Sequence, residues 1–181
     1  ELIFKDFVGK FSIIECNYRS RQLWGDNRRF LLCSIVTCYD FRAPMGKTKS
    51  VKNNDANYDF SAFRAYAKDQ NAVFLPIFMR SNLSDSEFHA LIILIMGELE
   101  SGVSEQAMAI IDRYREEALQ DLQSYYRNEL GLTDYASRIG NLMSLSHAIQ
   151  ECKSLFKVFF RFYSTIFDLY VTNEMLEDVY L

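Results

Sequence analysis

Two histidines, His89 and His147, and four cysteines, Cys16, Cys33, Cys38 and Cys152, are the side chains best suited to metal or nucleophilic chemistry in these 181 residues. No two of the cysteines form a C-x-x-C pair and the histidines stand apart, so zinc-ligand spacing is absent and no metal is expected. His89 falls inside an apolar run and reads as a hydrogen-bonded core histidine, while His147 stands alone in a long helical pattern. There is no G-x-S-x-G elbow, no Gly-rich loop to cradle a phosphate and no H-E-x-x-H. Glu116, Glu117 and Asp121 are interspersed with Arg113 and Arg115, which is the pattern of a solvated helix face with i, i+4 pairing. Convergent acids, bases and nucleophiles are what an enzyme needs, so the chain reads as a binding protein, not an enzyme, and without a cofactor.

Three charged features stand out against the apolar background. Arg19 closes an otherwise apolar helix, and its guanidinium needs a partner: a core carboxylate, such as Glu15, or the acid group of an apolar ligand. Glu87 and Arg138 each open an apolar helix, and buried charges are kept only when paired, so the two are expected to form a salt bridge. In the tail, Met175-Leu176-Glu177-Asp178-Val179-Tyr180 sets hydrophobic pairs on either side of a carboxylate.

These residues depend on helices. Ile3, Phe4, Phe7, Val8, Phe11, Ile14 and Tyr18 share one face of a helix that runs to about Leu23, where Trp24-Gly25-Asp26-Asn27 breaks it. Residues 30–41 are short, apolar and β-branched, and periodicity leaves a strand or a buried helical stretch open. Residues 42–57 are polar, basic and turn-rich, as in an exposed loop. Two short helices are expected over 58–81, with Pro76 inside the second or at its start. Ser84-Asp85-Ser86-Glu87 is a capping box opening a helix over about 84–97 that is apolar nearly all round and therefore central. An amphipathic helix follows over 103–130, then a longer one over 134–170, and a short amphipathic tail over 174–181.

The composition suits one all-α domain spanning 1–181. Seven glycines and two prolines are too few for a fold built from many tight turns. A net charge of −4 gives no electrostatic reason to grip nucleic acid. The cysteines read as free thiols in a reducing compartment. No uninterrupted apolar run reaches the ~20 residues that span a bilayer, so no membrane partner is expected.

In order and spacing, these segments resemble the nuclear receptor ligand-binding domain. Leu2-Ile3-Phe4-Lys5 leading to Phe11, Glu15 and Tyr18-Arg19-Ser20 resembles its helices 4 and 5. Leu83-Ser84-x-x-Glu87-Phe88-x-Ala90-Leu91 is similar to helix 8, and Tyr135-Ala136-Ser137-Arg138-Ile139-Gly140-Asn141-Leu142 to the start of helix 10. The tail is similar to the activation-function helix 12. The closest style is the divergent nematode branch related to the hepatocyte nuclear factor type of receptor.

The resemblance implies a three-layer antiparallel helical sandwich with a short β-turn near residues 30–41, truncated before helix 4, because helices 1 to 3 should precede Glu1. It implies a nuclear transcription regulator that holds a fatty acid or similar small lipophilic ligand beside Phe7, Phe11, Ile14 and Arg19. It also implies the Glu87–Arg138 pair. A coregulator's amphipathic helix would dock on Lys5, Met175, Leu176, Asp178 and Val179, and the helix over 134–170 would form a homo- or heterodimer seam. DNA would be reached only through a zinc module outside these residues. The alternative is a ligand-independent interaction module whose aromatics fill the pocket.

Overall fold

The computed structural model describes residues 2–27, 29–32, 38–40, 61–98 and 102–167. The first helix, α1 (Leu2–Trp24), forms where the apolar spacing requires it. Its inner face buries Ile14 and Tyr18. Gly25 ends it at φ 61, donating its N–H to the Arg21 carbonyl at 2.8 Å, a left-handed cap in which a side chain would be strained.

Residues 30–41, open between strand and helix, contain two short antiparallel strands, β1 (Phe30–Leu32) and β2 (Cys38–Asp40), with Leu31 opposite Tyr39. The hairpin sits on α1: the Leu32 N–H donates to the Ser20 hydroxyl at 2.7 Å. Residues 42–57 and the tail over 174–181 lie outside the described residues.

The two short helices expected over 58–81 are one continuous helix, α2 (Ser61–Ser81), with Pro76 inside it. Proline removes one helical hydrogen bond and disfavours the turn before it. Tertiary packing overrides that preference here. Phe74 and Phe78 are buried on either side, their rings stacked at 5.4 Å, while Pro76 itself faces solvent.

The capping box forms as the sequence demands. Ser84 caps α3 (Asp85–Met96), its side chain accepting from the Glu87 N–H while the Glu87 carboxylate accepts from the Ser84 N–H. Helix α3 packs against α1, α4 (Glu105–Ser124) and α5 (Ala136–Phe167), and is central as expected. It is not apolar all round, however. His89 is exposed, so the core-histidine reading is corrected: the helix keeps one strip toward solvent, and the imidazole occupies it.

The amphipathic helix expected over 103–130 is α-helical only through Ser124. Tyr125–Glu129 then form one π-helical turn, closed by the Leu130 N–H donating to the Tyr125 carbonyl at 3.2 Å. That wider turn carries Tyr126 into the core, where it is fully buried. Helix α5 runs unbroken for 32 residues and packs most extensively against α2. The core joins Ile14, Phe74, Leu91, Ile95, Leu122 and Ile149. Among the described residues the architecture is all-α apart from the hairpin.

Candidate functional site

Along α1, Phe7 and Phe11 stack on each other, ring centroids 5.5 Å apart, and both are half-buried. One turn further on, Ile14 is completely enclosed. Tyr18 continues the row, its ring lying flat on Phe88 at 3.9 Å and its hydroxyl donating to Asp85. Burial, and then the Asp85 carboxylate, push the Tyr18 phenol up to about 12. Phe7, Phe11 and Ile14 are therefore brought onto one face, with Ile14 already inside the core.

Arg19 lies to the side of that row. Its Nη1 donates to Glu15 Oε1 at 2.8 Å, and the two side chains are 42% and 24% exposed. The partner found is thus the carboxylate one helical turn back. Lys5 belongs to α1, but its side chain lies outside the described residues, as do Met175, Leu176, Asp178 and Val179.

Glu87 and Arg138 come together across 51 residues. Arg138 Nε and Nη2 donate to Glu87 Oε1 and Oε2, each at 2.8 Å. The Tyr126 hydroxyl adds a third bond at 2.8 Å and the Ser84 N–H a fourth at 2.9 Å. Burial pushes the Glu87 carboxyl up, but Arg138, the Ser84 amide and Tyr126 together hold it below its ordinary value. A carboxylate that already accepts four bonds has no capacity left for acid–base work, so this cluster is a tie between α3, the π turn and α5.

A second ionic junction was not anticipated. Asp6 Oδ2 lies 2.7 Å from Lys10 Nζ, and Asp6 Oδ1 accepts from Lys153 of α5. Lys10 also donates to the carbonyls of Ile95 and Glu98 at the end of α3. Lys10 is fully buried and Lys153 nearly so. Burial pushes the Asp6 carboxyl up, and the two lysines overcome it and bring it below its ordinary value. The available signal was the Asp6–Lys10 spacing, together with a lysine, Lys153, at a core position of α5.

The described surface also holds a cleft of about 420 Å³ between α3 and α4, lined by His89, Ile93, Asp121, Leu122, Tyr125 and Glu129. None of Phe7, Phe11, Ile14 or Arg19 borders it. Its signal in the sequence was the single histidine interrupting the apolar run of α3. Cys152 is enclosed in the core, and burial followed by the charge of Glu151 pushes its thiol up to about 12, which makes it inert. Among the described residues no three of His, Cys, Asp and Glu gather to hold a metal, and no helix is long and apolar enough to cross a membrane.

The family model described as the ligand-binding domain of nuclear hormone receptor matches residues 1–166. The chain belongs to that family. It is thus a domain of a ligand-regulated transcription factor, in a family that is generally nuclear and generally non-enzymatic. None of the curated proteins and none of the solved structures matches it. In this nuclear receptor domain the order of α1, α3 and α5 follows the segments whose resemblance was traced above. The match ends at residue 166, inside α5, and does not reach the tail.

Proposed function

We infer that the chain binds a small apolar ligand against α1, beside Phe7, Phe11 and Ile14 with Arg19 at one end, and passes its presence to a coregulator. The observation that carries this reading is the stacked, half-buried Phe7–Phe11 pair, within a chain of the nuclear receptor ligand-binding family. An apolar ligand covering those rings would gain on the order of 25 cal/mol per Å² removed from water. The coregulator contact would use Lys5 with Met175, Leu176, Asp178 and Val179, Asp178 facing the N–H groups that open a partner helix. The exposed side of α5, including Met143, His147 and Val158, is where a homo- or heterodimer partner would sit. Work in the nucleus follows from the same reading.

A second reading has its own observation. Ile14 is fully enclosed by core neighbours, which favours a ligand-independent interaction module with its pocket filled by side chains. Native mass spectrometry of the protein as purified separates the two. A lipid-sized adduct that Phe11→Gln removes supports the ligand reading. A folded, adduct-free dimer overturns it in favour of the interaction module.

A further inference from the structure

The cleft between α3 and α4 takes no part in the function assigned to α1, and its lining carries one electrical sign. Its apolar part is formed by Ala90, Ile93, Ala118 and Leu122, with the half-buried Tyr125 beside them. The polar side chains that line it are Ser86, His89, Asp121, Ser124, Asn128 and Glu129. Each can offer an acceptor atom, and none is an ammonium or a guanidinium. The two carboxylates are also unengaged. The ion pairs of α4 join Arg113 to Glu117 and Arg115 to Asp112, and Arg127 lies over the Tyr135 ring. Among the described residues no side chain pairs with Asp121 or Glu129. The π turn helps to bring these two acids to one side. In an α-helix of 3.6 residues per turn every fourth residue drifts about 40° around the axis, so Glu129 on a regular helix would stand roughly 80° from Asp121. The wider turn over Tyr125–Glu129 takes back part of that drift, and Asp121, Tyr125 and Glu129 all border the cleft. Single π turns of this kind are frequent at functional sites.

We propose that this cleft is a second binding site, for a small organic cation made of an ammonium on an apolar body. The body covers Ile93, Leu122 and the ring of Tyr125, and the ammonium donates charge-assisted bonds to Asp121 and Glu129. The same ring adds a cation–π contact. An anion would meet two carboxylates and no cation. An uncharged lipophile would forgo the charge-assisted bonds. A metal ion is short of ligands, because among the described residues no three of His, Cys, Asp and Glu gather to hold one. The volume, about 420 Å³, falls within the roughly 300–1,000 Å³ of small-molecule sites. The site stands or falls independently of any ligand on α1.

The test is titration of the isotope-labelled chain with 4-phenylbutylamine and with 4-phenylbutanol at pH 7.5, followed by amide NMR shifts. The amine is expected to move the amides around His89 and along 121–129 in a saturable way. Its Kd should be about tenfold lower than the alcohol's, the worth of one hydrogen bond to a charged group. Asp121→Asn with Glu129→Gln is expected to erase that preference and leave the thermal midpoint unchanged, since both side chains are exposed. Glu105→Gln with Glu116→Gln removes the same charge outside the cleft and should leave the preference intact. Equal affinity for amine and alcohol overturns the proposal, as does a preference that both double variants lose alike. Shifts scattered over the acidic surface without saturation overturn it too. Nα-acetyl-lysine amide, titrated in parallel, stands for a basic side chain of a partner protein. Tighter binding of that probe than of phenylbutylamine overturns the small-molecule site in favour of a partner's lysine.

Discussion

Helix α1 carries the same local motif twice, an acid followed four residues later by a base, and the two copies have different fates. Asp6–Lys10 is drawn inward: Lys153 of α5 joins the carboxylate, and the ammonium of Lys10 ends against the last carbonyls of α3. Glu15–Arg19 stays on the flank of its own helix, and its atoms keep substantial contact with water. An i, i+4 spacing specifies that two charges meet. Whether the meeting fastens the fold or remains exchangeable depends on what distant segments bring to it. The first copy holds three helices in register, and the second ties only one turn of α1 to the next.

The largest test of this contrast is Asp6→Ala. It would leave two enclosed ammonium groups without an anion, and breaking a buried pair from one side costs about 3–5 kcal/mol. A urea midpoint for Asp6→Ala no lower than that of Glu15→Ala would break the comparison outright.

Glu87 sharpens it from a third location and by pH. The carboxyls of Glu87 and Asp6 are held below their ordinary values of 4.5 and 3.8. The unfolded chain therefore takes up these protons first as pH falls. The stability they contribute is complete above the ordinary values and is lost as pH drops through the lower, folded ones. Glu87→Gln should cost about 3 kcal/mol at neutral pH, the low end for a buried pair because Arg138 keeps about a third of its surface in water. Its stability should also fall less steeply than the wild type's between pH 5 and pH 3 (roughly the range in which such carboxylates titrate). Parallel curves in that range would mean that the four-bond cluster does not govern acid stability.

Gly97 probes the α3 end of the Asp6 junction. A Cβ there would lie 2.4 Å from Arg115 Cδ and 2.8 Å from Ile111 Cγ2. The flexible arginine can yield, but the buried isoleucine has little room to move. Gly97→Ala should cost about 1–2 kcal/mol as overpacking, and combined with Lys153→Met its effect should be non-additive in thermal unfolding if the junction acts as one unit.

The capping box, the end of α1 at Gly25 and the central place of α3 were legible because each rests on local chemistry: a side-chain acceptor three residues before its amide, a residue free to adopt positive φ, a run of apolar residues. The Glu87–Arg138 tie was legible because each charge sat where water could not serve it. Pro76 misled because its helix-breaking tendency is local, whereas Phe74 and Phe78 are anchored by remote packing. His89 misled because an apolar run does not reveal its one solvent-facing strip. The Asp6–Lys153 contact spans 147 residues, and no spacing rule reaches that far. The π turn was equally hidden, since the bond that its Tyr126 hydroxyl gives to Glu87 spans 39 residues.

The smallest expected effect belongs to Arg19→Met. An ion pair within one helix, half in water, is worth about 0.2–0.5 kcal/mol, and the methionine regains part of that by covering the edge of α1 without a charge to solvate. The urea midpoint should therefore move little, and a double-mutant cycle with Glu15→Gln should show a coupling below about 0.5 kcal/mol that fades further at high salt. A larger, salt-resistant coupling would make the pair a fastening like Asp6 with its lysines. The distinction between the two ends of α1 would then disappear.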